Sequence, residues 1–526
     1  MSSTPTRGVR PRTGNTVLVG LVLAVSMTTI DQTIVALSGP SIQQHLSISH
    51  GSLQWAVNVY LLTTAAFFLL GGRLADVLGH RRMLVVGVAA FGITSLLCGL
   101  TPQGAAAAPW LIAARALQGV SGAVMFPAAL GIVVRAFPQE RRGRAMAGFF
   151  TVTGAMTAVG PIAGGFLTEW TWRSIFWINV PIALVALILI LRTAPAAPRR
   201  PDSVDWVGAG VSAAGMGLVV AALQQAGTWG WSSPAVVAFL AVGVLLLVLF
   251  VRRQLRADTP LVNLRVFRDA GFTVSTLAMF FASVAFISVF FFLSVYGQVS
   301  LGLSATDTGL LFLKFFIGFA VAARLGAVRF DRVGARSVIL LGGVTGAAGF
   351  VWLARTATDL SFDAGAFLNQ QTWPIMVAGA GIGFMFSPVS TDAVNRAIGT
   401  SYGEVSALTQ TMKNFGGALG LAVFTTVVTQ RLTSEVAVSI RRVGGTSQDT
   451  RQVVDAITSA DGGAKTGGVP SAAREAVLQA LRSDYAHAAQ VAFYGMALAM
   501  AVVAALALSH PRPSGATVTA SVPRPR

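Results

Sequence analysis

The chain has 526 residues, of which 54% are hydrophobic and only 11% are charged, and its mean hydropathy is +0.69. Soluble domains carry about 25% charged residues, so this composition excludes an ordinary soluble globular protein and indicates a lipid-embedded one. The formal charge of +18 does not indicate nucleic-acid binding, because the basic residues recur in short clusters between apolar blocks, as orientation signals do.

The first apolar block, residues 16–38, is long enough to cross a bilayer and yet contains a carboxylate, Asp31. A charge near the middle of a spanning helix costs roughly 2.5–3.5 kcal/mol, so we expect Asp31 to face a partner charge or a water-filled cavity. A purely structural ion pair is the alternative. The basic N-terminus before this block imitates a signal peptide, but the block is long and lacks a clear cleavage site, so we predict an uncleaved span.

Each spanning helix needs about 20 apolar residues, and the chain supplies fourteen such blocks. The predicted fold class is therefore an all-α polytopic membrane protein. The predicted spans are 16–38, 52–72, 83–101, 109–134, 145–168, 175–192, 205–225, 234–252, 271–297, 306–327, 337–355, 373–397, 404–430 and 487–508.

Arginines concentrate in alternate connections between these spans, which predicts that both termini are cytoplasmic. The single cysteine, Cys98, lies in an apolar block and reads as a buried, inert thiol. The predicted organisation is a tail 1–15, a six-helix half 16–192, an inserted helix pair with connectors 193–270, a second six-helix half 271–508 and a tail 509–526. Within the second half, residues 431–486 are predicted to form an extracellular loop.

An internal repeat relates the connection after the second span to the connection after the tenth. Asp76 and Gly79 recur as Asp331 and Gly334, each at an offset of 255 residues (331 minus 76). Parallel halves related by an axis along the membrane normal are one plan of secondary transporters, and the repeat indicates that plan.

Four motifs taken together resemble those of the major facilitator superfamily, and within it the 14-helix drug:proton antiporters. The motifs are DQTIVALSGP at 31–40, GRLADVLGHRR at 72–82, LIAARALQGVSGA at 111–123 and GAMTAVGPIAGG at 154–165. The resemblance covers all fourteen spans. It implies a major facilitator fold, with two six-helix halves plus an inserted helix pair, and proton-driven export of small molecules.

The motif at 72–82 combines glycines with charged residues. Gly72 and Gly79 permit a tight turn, and Asp76 is suited to pair with arginines, for which residues 141–144 supply candidates. Arg81 is a further charged member of this motif. Such a contact would break and re-form when two halves rock, and a merely structural turn is the alternative.

The motif at 154–165 is rich in small residues. Gly160 and Pro161 are expected to bend the helix, while Gly164 and Gly165 let a facing helix approach closely. Small-residue packing alone is the alternative to a role in the conformational change.

Arg115 is the charged member of the motif at 111–123, and it shares one helical face with Gln118. At about 1.5 Å per residue, Arg115 lies about 9 Å below the outer end of its span. Asp31 lies about 8–10 Å below the same surface in a hydrocarbon core about 30 Å thick. An Asp31–Arg115 pair is therefore geometrically possible, and a proton arriving at Asp31 would release it. The resemblance implies the same proton-coupling role.

The second half offers two lysines at mid-depth, Lys314 and Lys413, as residues of a substrate cavity. The alternatives are a snorkelling or structural role for Lys314 and a helix-packing charge for Lys413. Two lysines would repel a permanent cation, which favours anionic or neutral amphiphilic substrates. The remaining candidates for the cavity wall are Trp55, Asn58, Tyr60, Gln118 and Gln298.

The main hypothesis is a proton-coupled exporter of small amphiphilic molecules, and the alternative is a proton-coupled importer or exporter of one endogenous metabolite. An enzyme is not favoured, because the five histidines form no ligand set and no HExxH, GxSxG or complete P-loop occurs. We expect no metal and no cofactor beyond the proton gradient. The expected partners are a small-molecule substrate, protons and the lipid bilayer, with no nucleic acid, for a monomer in the cell membrane.

Overall fold

The computed structural model describes residues 11–48, 50–137, 171–195, 204–257, 260–303, 305–360, 369–396, 402–442 and 471–511, with Val454 and scattered residues between 145 and 170. Within these residues, 13 helices are long and apolar enough to cross a membrane. They include α1 Pro11–Leu37, α2 His50–Leu78, α3 His80–Gly99, α4 Ala107–Ala136, α5 Asn179–Thr193, α6 Trp206–Trp229, α7 Pro234–Arg256, α8 Ala270–Val295, α9 Ala305–Val333, α10 Ala335–Thr356, α11 Thr372–Asn395, α12 Tyr402–Arg442 and α13 Ser471–Leu508. The candidate span that contains α5 begins at Ser174.

About half of the predicted fifth span, 145–168, lies outside the described residues, and the residues described within it are helical. Shorter helical segments are also present, at Gly39–Leu46 before α2, Ser174–Trp177 before α5, Leu264–Arg268 before α8 and Tyr296–Ser300 after it. The protein is therefore a multi-pass helical membrane protein, as the composition predicted.

Two helix ends differ by ten residues or more from the predicted spans. The helix α12 continues to Arg442 and α13 begins at Ser471, so much of the predicted loop 431–486 is helical. Arg431 and Glu435 form an ion pair of 2.7 Å one turn apart, which supports the helix beyond its apolar part. Hydropathy locates the end of an apolar block, and a helix continues past that point where its polar residues satisfy one another.

The helices form two packed groups joined by a seam. The helices α1 to α5 share one apolar core, and α8 to α13 share another. Contacts of α2 and α4 with α12 join the two groups. The helix α6 packs against both α2 and α12 at this seam, while α7 packs mainly on α6. The inserted pair therefore contacts both groups through one helix.

The repeated turns share an unusual backbone conformation. Gly79, between α2 and α3, has φ +96°, and Gly334, between α9 and α10, has φ +79°. Residues with a Cβ rarely adopt this region, so glycine is required at both turns. The environments differ, however, because Asp76 is buried and Asp331 is exposed.

Three arginines join helix ends at one end of the bundle. Arg81 donates to the Leu191 carbonyl at 2.5 Å, which caps the end of α5. Arg253 pairs with Asp205 at 2.8 Å and joins the end of α7 to the start of α6. Arg396 pairs with Asp269 across the ends of α11 and α8. We refer to this end as the arginine-rich end.

Candidate functional site

An ion pair between α1 and α4 lies inside the first helix group. The guanidinium Nη1 of Arg115 donates to Oδ2 of Asp31, and the two side chains are 1% and 0% exposed. The apolar sequence around each residue buries it, and the matched depth of the two helices brings the charges together. Neither ion faces lipid.

Gln118 connects the two ions. It lies one turn after Arg115 on the same face of α4, and its Oε1 accepts from Nη1 of Arg115 at 2.7 Å. Its Nε2 donates to Oδ1 of Asp31 at 3.1 Å and to Oγ of Ser95 at 2.7 Å. The carboxylate of Asp31 therefore receives donors on both oxygens. This places Gln118 within the ion-pair network, where sequence reasoning had expected a cavity wall.

The helix α2 holds Arg115 from a third side. Nε of Arg115 donates to the Ala56 carbonyl at 3.2 Å, and the guanidinium carbon lies 4.3 Å from the centre of the Tyr60 ring. The Tyr60 hydroxyl donates to the Thr28 carbonyl of α1 at 3.2 Å. Tyr60 is thus fully buried between α1 and α4.

Three further polar residues complete the network, and sequence reasoning missed their roles. Ser95 on α3 accepts from Gln118 and also from Nδ2 of Asn179 at 3.3 Å. The thiol of Cys98 lies 3.7 Å from Oε1 of Gln118. A serine or cysteine in an apolar block carries no signal that it faces a buried charge, so only the three-dimensional packing identifies these residues.

Such a pair is sensitive to a single proton. Removing one partner of a buried ion pair costs about 3–5 kcal/mol, because the other charge is left uncompensated. Protonation of Asp31 would remove its charge while Arg115 keeps its contacts with Ala56, Gln118 and Tyr60. The arrangement is therefore suited to a change in how α1 packs against α2 and α4.

The predicted fifth span touches α1 beside Asp31. A Cβ on Gly160 would meet the Thr33 hydroxyl and would lie 3.0 Å from the Ile30 carbonyl. A Cβ on Gly164 would lie 2.8 Å from Cγ1 of Ile34. These glycines allow the backbone that flanks Asp31 to approach closely. Pro161 and Gly165 lie outside the described residues.

The motif at 72–82 differs in part from its prediction. Gly72 lies within α2, which continues to Leu78, so the tight turn is formed by Gly79 alone. Asp76 is 8% exposed and lies 3.2 Å from Nε2 of His80. Arg81 instead caps α5. The arginines at 141–144, expected as partners of Asp76, lie outside the described residues.

The expected cavity residues do not all lie together. Trp55 is half-buried and Asn58 is buried on α2, while Gln298 donates to Ser294 at 3.1 Å at the end of α8. Lys314 is 3% exposed on α9. Helical spacing places it about 200° around α9 from Phe312, away from the aromatic face of that helix.

That aromatic face belongs to a cluster which sequence reasoning did not identify. Phe286 on α8 lies 5.1–6.4 Å, centre to centre, from Phe315 and Phe319 on α9 and Phe386 on α11. Nζ of Lys413 on α12 lies 5.0 Å from the centre of the Phe386 ring. Lys413 therefore borders the cluster, whereas Lys314 faces away from it.

Comparison with known proteins identifies the family. The sequence profile of the Major Facilitator Superfamily matches residues 21–421. The chain is 34% identical to the tetracenomycin C resistance and export protein of Streptomyces glaucescens (82% of this chain, 79% of that one). It is 31% identical to the multidrug efflux pump LfrA of Mycolicibacterium smegmatis (92% and 94%). It is also 35% identical to the puromycin resistance protein pur8 of Streptomyces alboniger (78% and 81%).

Solved structures share the fold at low sequence identity. The proton:xylose symporter XylE superposes with a TM-score of 0.56 at 13% identity, covering 93% of this chain and 96% of that one. An inward-facing bacterial homologue of the human lysosomal transporter Spinster gives a TM-score of 0.56 at 17% identity, covering 98% and 100%. The chain belongs to the Major Facilitator Superfamily.

Proposed function

We propose that the chain exports small amphiphilic molecules from the cell in exchange for protons, by alternating access to a site between its two helix groups. The observation that carries the proposal is the buried Asp31–Arg115 pair, bridged by Gln118, within spanning helices. The three relatives named above are exporters or resistance proteins by name, which supports export over import. No cofactor is needed, because the proton gradient supplies the free energy.

The arginine distribution supports a placement in the cell membrane with both termini cytoplasmic. The arginine-rich end then faces the cytoplasm, and Asp31 lies nearer the outer surface. We further propose that the protein acts as a monomer.

The exchange proceeds through the charge of Asp31. A proton entering from the outer side neutralises the carboxylate and removes its attraction to Arg115. Arg115 stays attached to α2 and α4 through Ala56, Tyr60 and Gln118. The helix α1 is then released from α4, and its movement biases the two helix groups towards opening at the arginine-rich end.

The test is proton-driven transport by Asp31→Asn in everted membrane vesicles, with a fluorescent amphiphilic dye as the substrate. We expect a loss of gradient-driven dye accumulation of at least about tenfold, with normal protein in the membrane, because Asn cannot exchange a proton. Asp331→Asn is the matched control, since Asp331 is exposed.

The direction of coupling is measured in the same vesicles. Dye uptake should alkalinise the vesicle lumen when an acidic lumen drives it. Full transport by Asp31→Asn would contradict the role of this carboxylate. Movement of dye and protons in the same direction would show a symporter.

A further inference from the structure

A second polar cluster lies at the arginine-rich end of the other helix group, far along the chain from Asp31. Asp392, near the end of α11, accepts from Oγ of Ser275 at 2.7 Å and from Nε of Arg396 at 2.9 Å. Nε2 of His510, just after α13, lies 3.2 Å from the same carboxylate oxygen. The cluster therefore ties together the ends of α8, α11 and α13.

The imidazole of His510 is buried between two hydrogen-bond acceptors. The side chain is 3% exposed, and its other ring nitrogen, Nδ1, lies 3.1 Å from the Pro511 carbonyl. Both ring nitrogens thus face oxygen atoms that can only accept hydrogen bonds. A neutral imidazole has one N–H and satisfies one of these acceptors, whereas the imidazolium satisfies both. Histidine is also the side chain that ordinarily changes charge between about pH 5 and 8.

The other charged groups around His510 are few among the described side chains. Arg396 is shared, because its Nη1 also pairs with Asp269 at the start of α8. The helix α10 packs on α13 and carries Arg336 in its first turn. The described side chains of Arg336 and His510 form no ion pair or hydrogen bond with each other. The helix α12 brings Glu404, whose side chain lies outside the described part.

The cluster adjoins the seam between the helix groups. Ala393, the residue after Asp392, is fully buried in an apolar cluster with Leu69 of α2 and Leu261 of the connector before α8. Val394 is buried in the core of the first helix group. The end of α11 therefore spans the seam, and opening the protein at this end requires Ala393 and Val394 to leave the first group.

We propose that His510 is a second proton-binding site, whose protonated form holds the end of α11 at the seam and keeps the arginine-rich end closed. The proton sits on the imidazole between Asp392 and the Pro511 carbonyl. Its loss removes one of these contacts and the charge attraction to Asp392, which frees the end of α11. The proposal depends on the proposed function in one respect: it assumes that the two helix groups separate at this end.

The test measures distance between the helix groups as a function of pH, without substrate. Spin labels at Arg82→Cys and Arg332→Cys report on the two groups, since both positions are exposed at the arginine-rich end. The native Cys98 is fully buried and does not compete for the label. An Asp31→Asn background removes the first proton site. The protein is reconstituted in nanodiscs and examined by pulsed electron paramagnetic resonance between about pH 5.5 and 8.5.

We expect the ratio of short to long distances to fall by about fivefold or more as the pH rises, the lower range of typical coupling between sites. His510→Gln should abolish this dependence, and His510→Arg, which cannot lose its charge, should keep the short distance at high pH. His487→Gln is the matched control, because His487 is exposed within α13, about six helical turns before His510.

A pH-independent ratio in the background protein, or a dependence that survives in His510→Gln, would overturn the proposal. The readout does not require transport, so a protein that exports nothing would leave the result for His510 intact while refuting the proposed function. Thermal unfolding of each variant at pH 7 identifies any that fails to fold, and His510→Arg then decides the outcome.

Discussion

The ring of Tyr60 lies against the guanidinium of Arg115, with 4.3 Å between the ring centre and the central carbon of that group. Tyr60 belongs to α2 and Arg115 to α4, and the Tyr60 hydroxyl reaches the Thr28 carbonyl on α1. One aromatic side chain thus contacts both helices that carry the ion pair. It supports Arg115 whether or not Asp31 is charged.

Tyr60→Leu should reduce dye efflux more than Tyr60→Phe does. A buried cation–π contact contributes about 2 kcal/mol, which phenylalanine largely keeps and leucine removes. We expect Tyr60→Phe to retain most dye efflux and Tyr60→Leu to lose about tenfold, as measured in the vesicle assay at equal protein levels. Equal loss in both variants would assign the effect to the Thr28 hydrogen bond instead of the ring.

Alanine substitutions in the predicted fifth span should separate close packing from simple helix formation. Gly160→Ala and Gly164→Ala place a methyl group against Thr33 and Ile34 on α1, and overpacking of this kind costs about 1–3 kcal/mol. We expect both variants to lose most proton-driven efflux. Gly148→Ala in the same span is the matched control, because a Cβ there meets no atom of the described residues within 4 Å. Equal activity in all three variants would rule out a packing role.

Much of the ion-pair site could be inferred from the sequence, for physical reasons. A carboxylate and a guanidinium within apolar blocks are costly, and the fixed rise of a helix gives their depths. Helical periodicity also placed Gln118 on the Arg115 face. These arguments use only properties of single helices, which the sequence carries directly.

The remaining parts depend on contacts between helices far apart in the chain. Ser95 and Asn179 join the network through packing of α3 and α5, and neither has a distinctive pattern. His510 looked like a residue at a span end until α11 and α13 brought it to Asp392. Gly72 was expected in a turn because a glycine is permissive, yet a glycine also fits a helix interior, as it does here.

Asp205 gives a prediction for the inserted helix pair. Its carboxylate caps α6 at the Gly208 amide and pairs with Arg253 at the end of α7. Hydrogen bonding from Arg253 lowers the pKa of Asp205 to about 2, helped by the Gly208 amide and Gln254. Because the unfolded value is about 3.9, the stabilisation is fully present above that pH and is lost as the pH falls towards about 2.

Asp205→Ala should therefore lower the unfolding temperature by a constant amount between about pH 5 and 7, and the difference from wild type should shrink below about pH 4. Thermal unfolding in detergent across this range measures it. Asp331→Ala serves as the control, because this carboxylate is exposed. A difference that grows at low pH would contradict the assigned cause.

Lys413 gives a prediction about substrate charge. Its ammonium lies 5.0 Å from the centre of the Phe386 ring at the edge of the aromatic cluster. A cation inside a spanning segment costs roughly 2.5–3.5 kcal/mol. One cation–π contact offsets only about 2 kcal/mol of this cost. An anionic aromatic ligand would therefore stabilise the ammonium further.

Lys413→Met should consequently reduce efflux of a planar aromatic carboxylate about tenfold, equivalent to about 1.4 kcal/mol, while efflux of its neutral methyl ester is retained. Lys413→Arg should preserve transport of the acid, because it keeps the positive charge beside Phe386. Parallel efflux measurements on the acid and the ester in the same vesicles give the ratio directly. An equal loss for both compounds would show that Lys413 packs the helices and does not select the charge of the substrate.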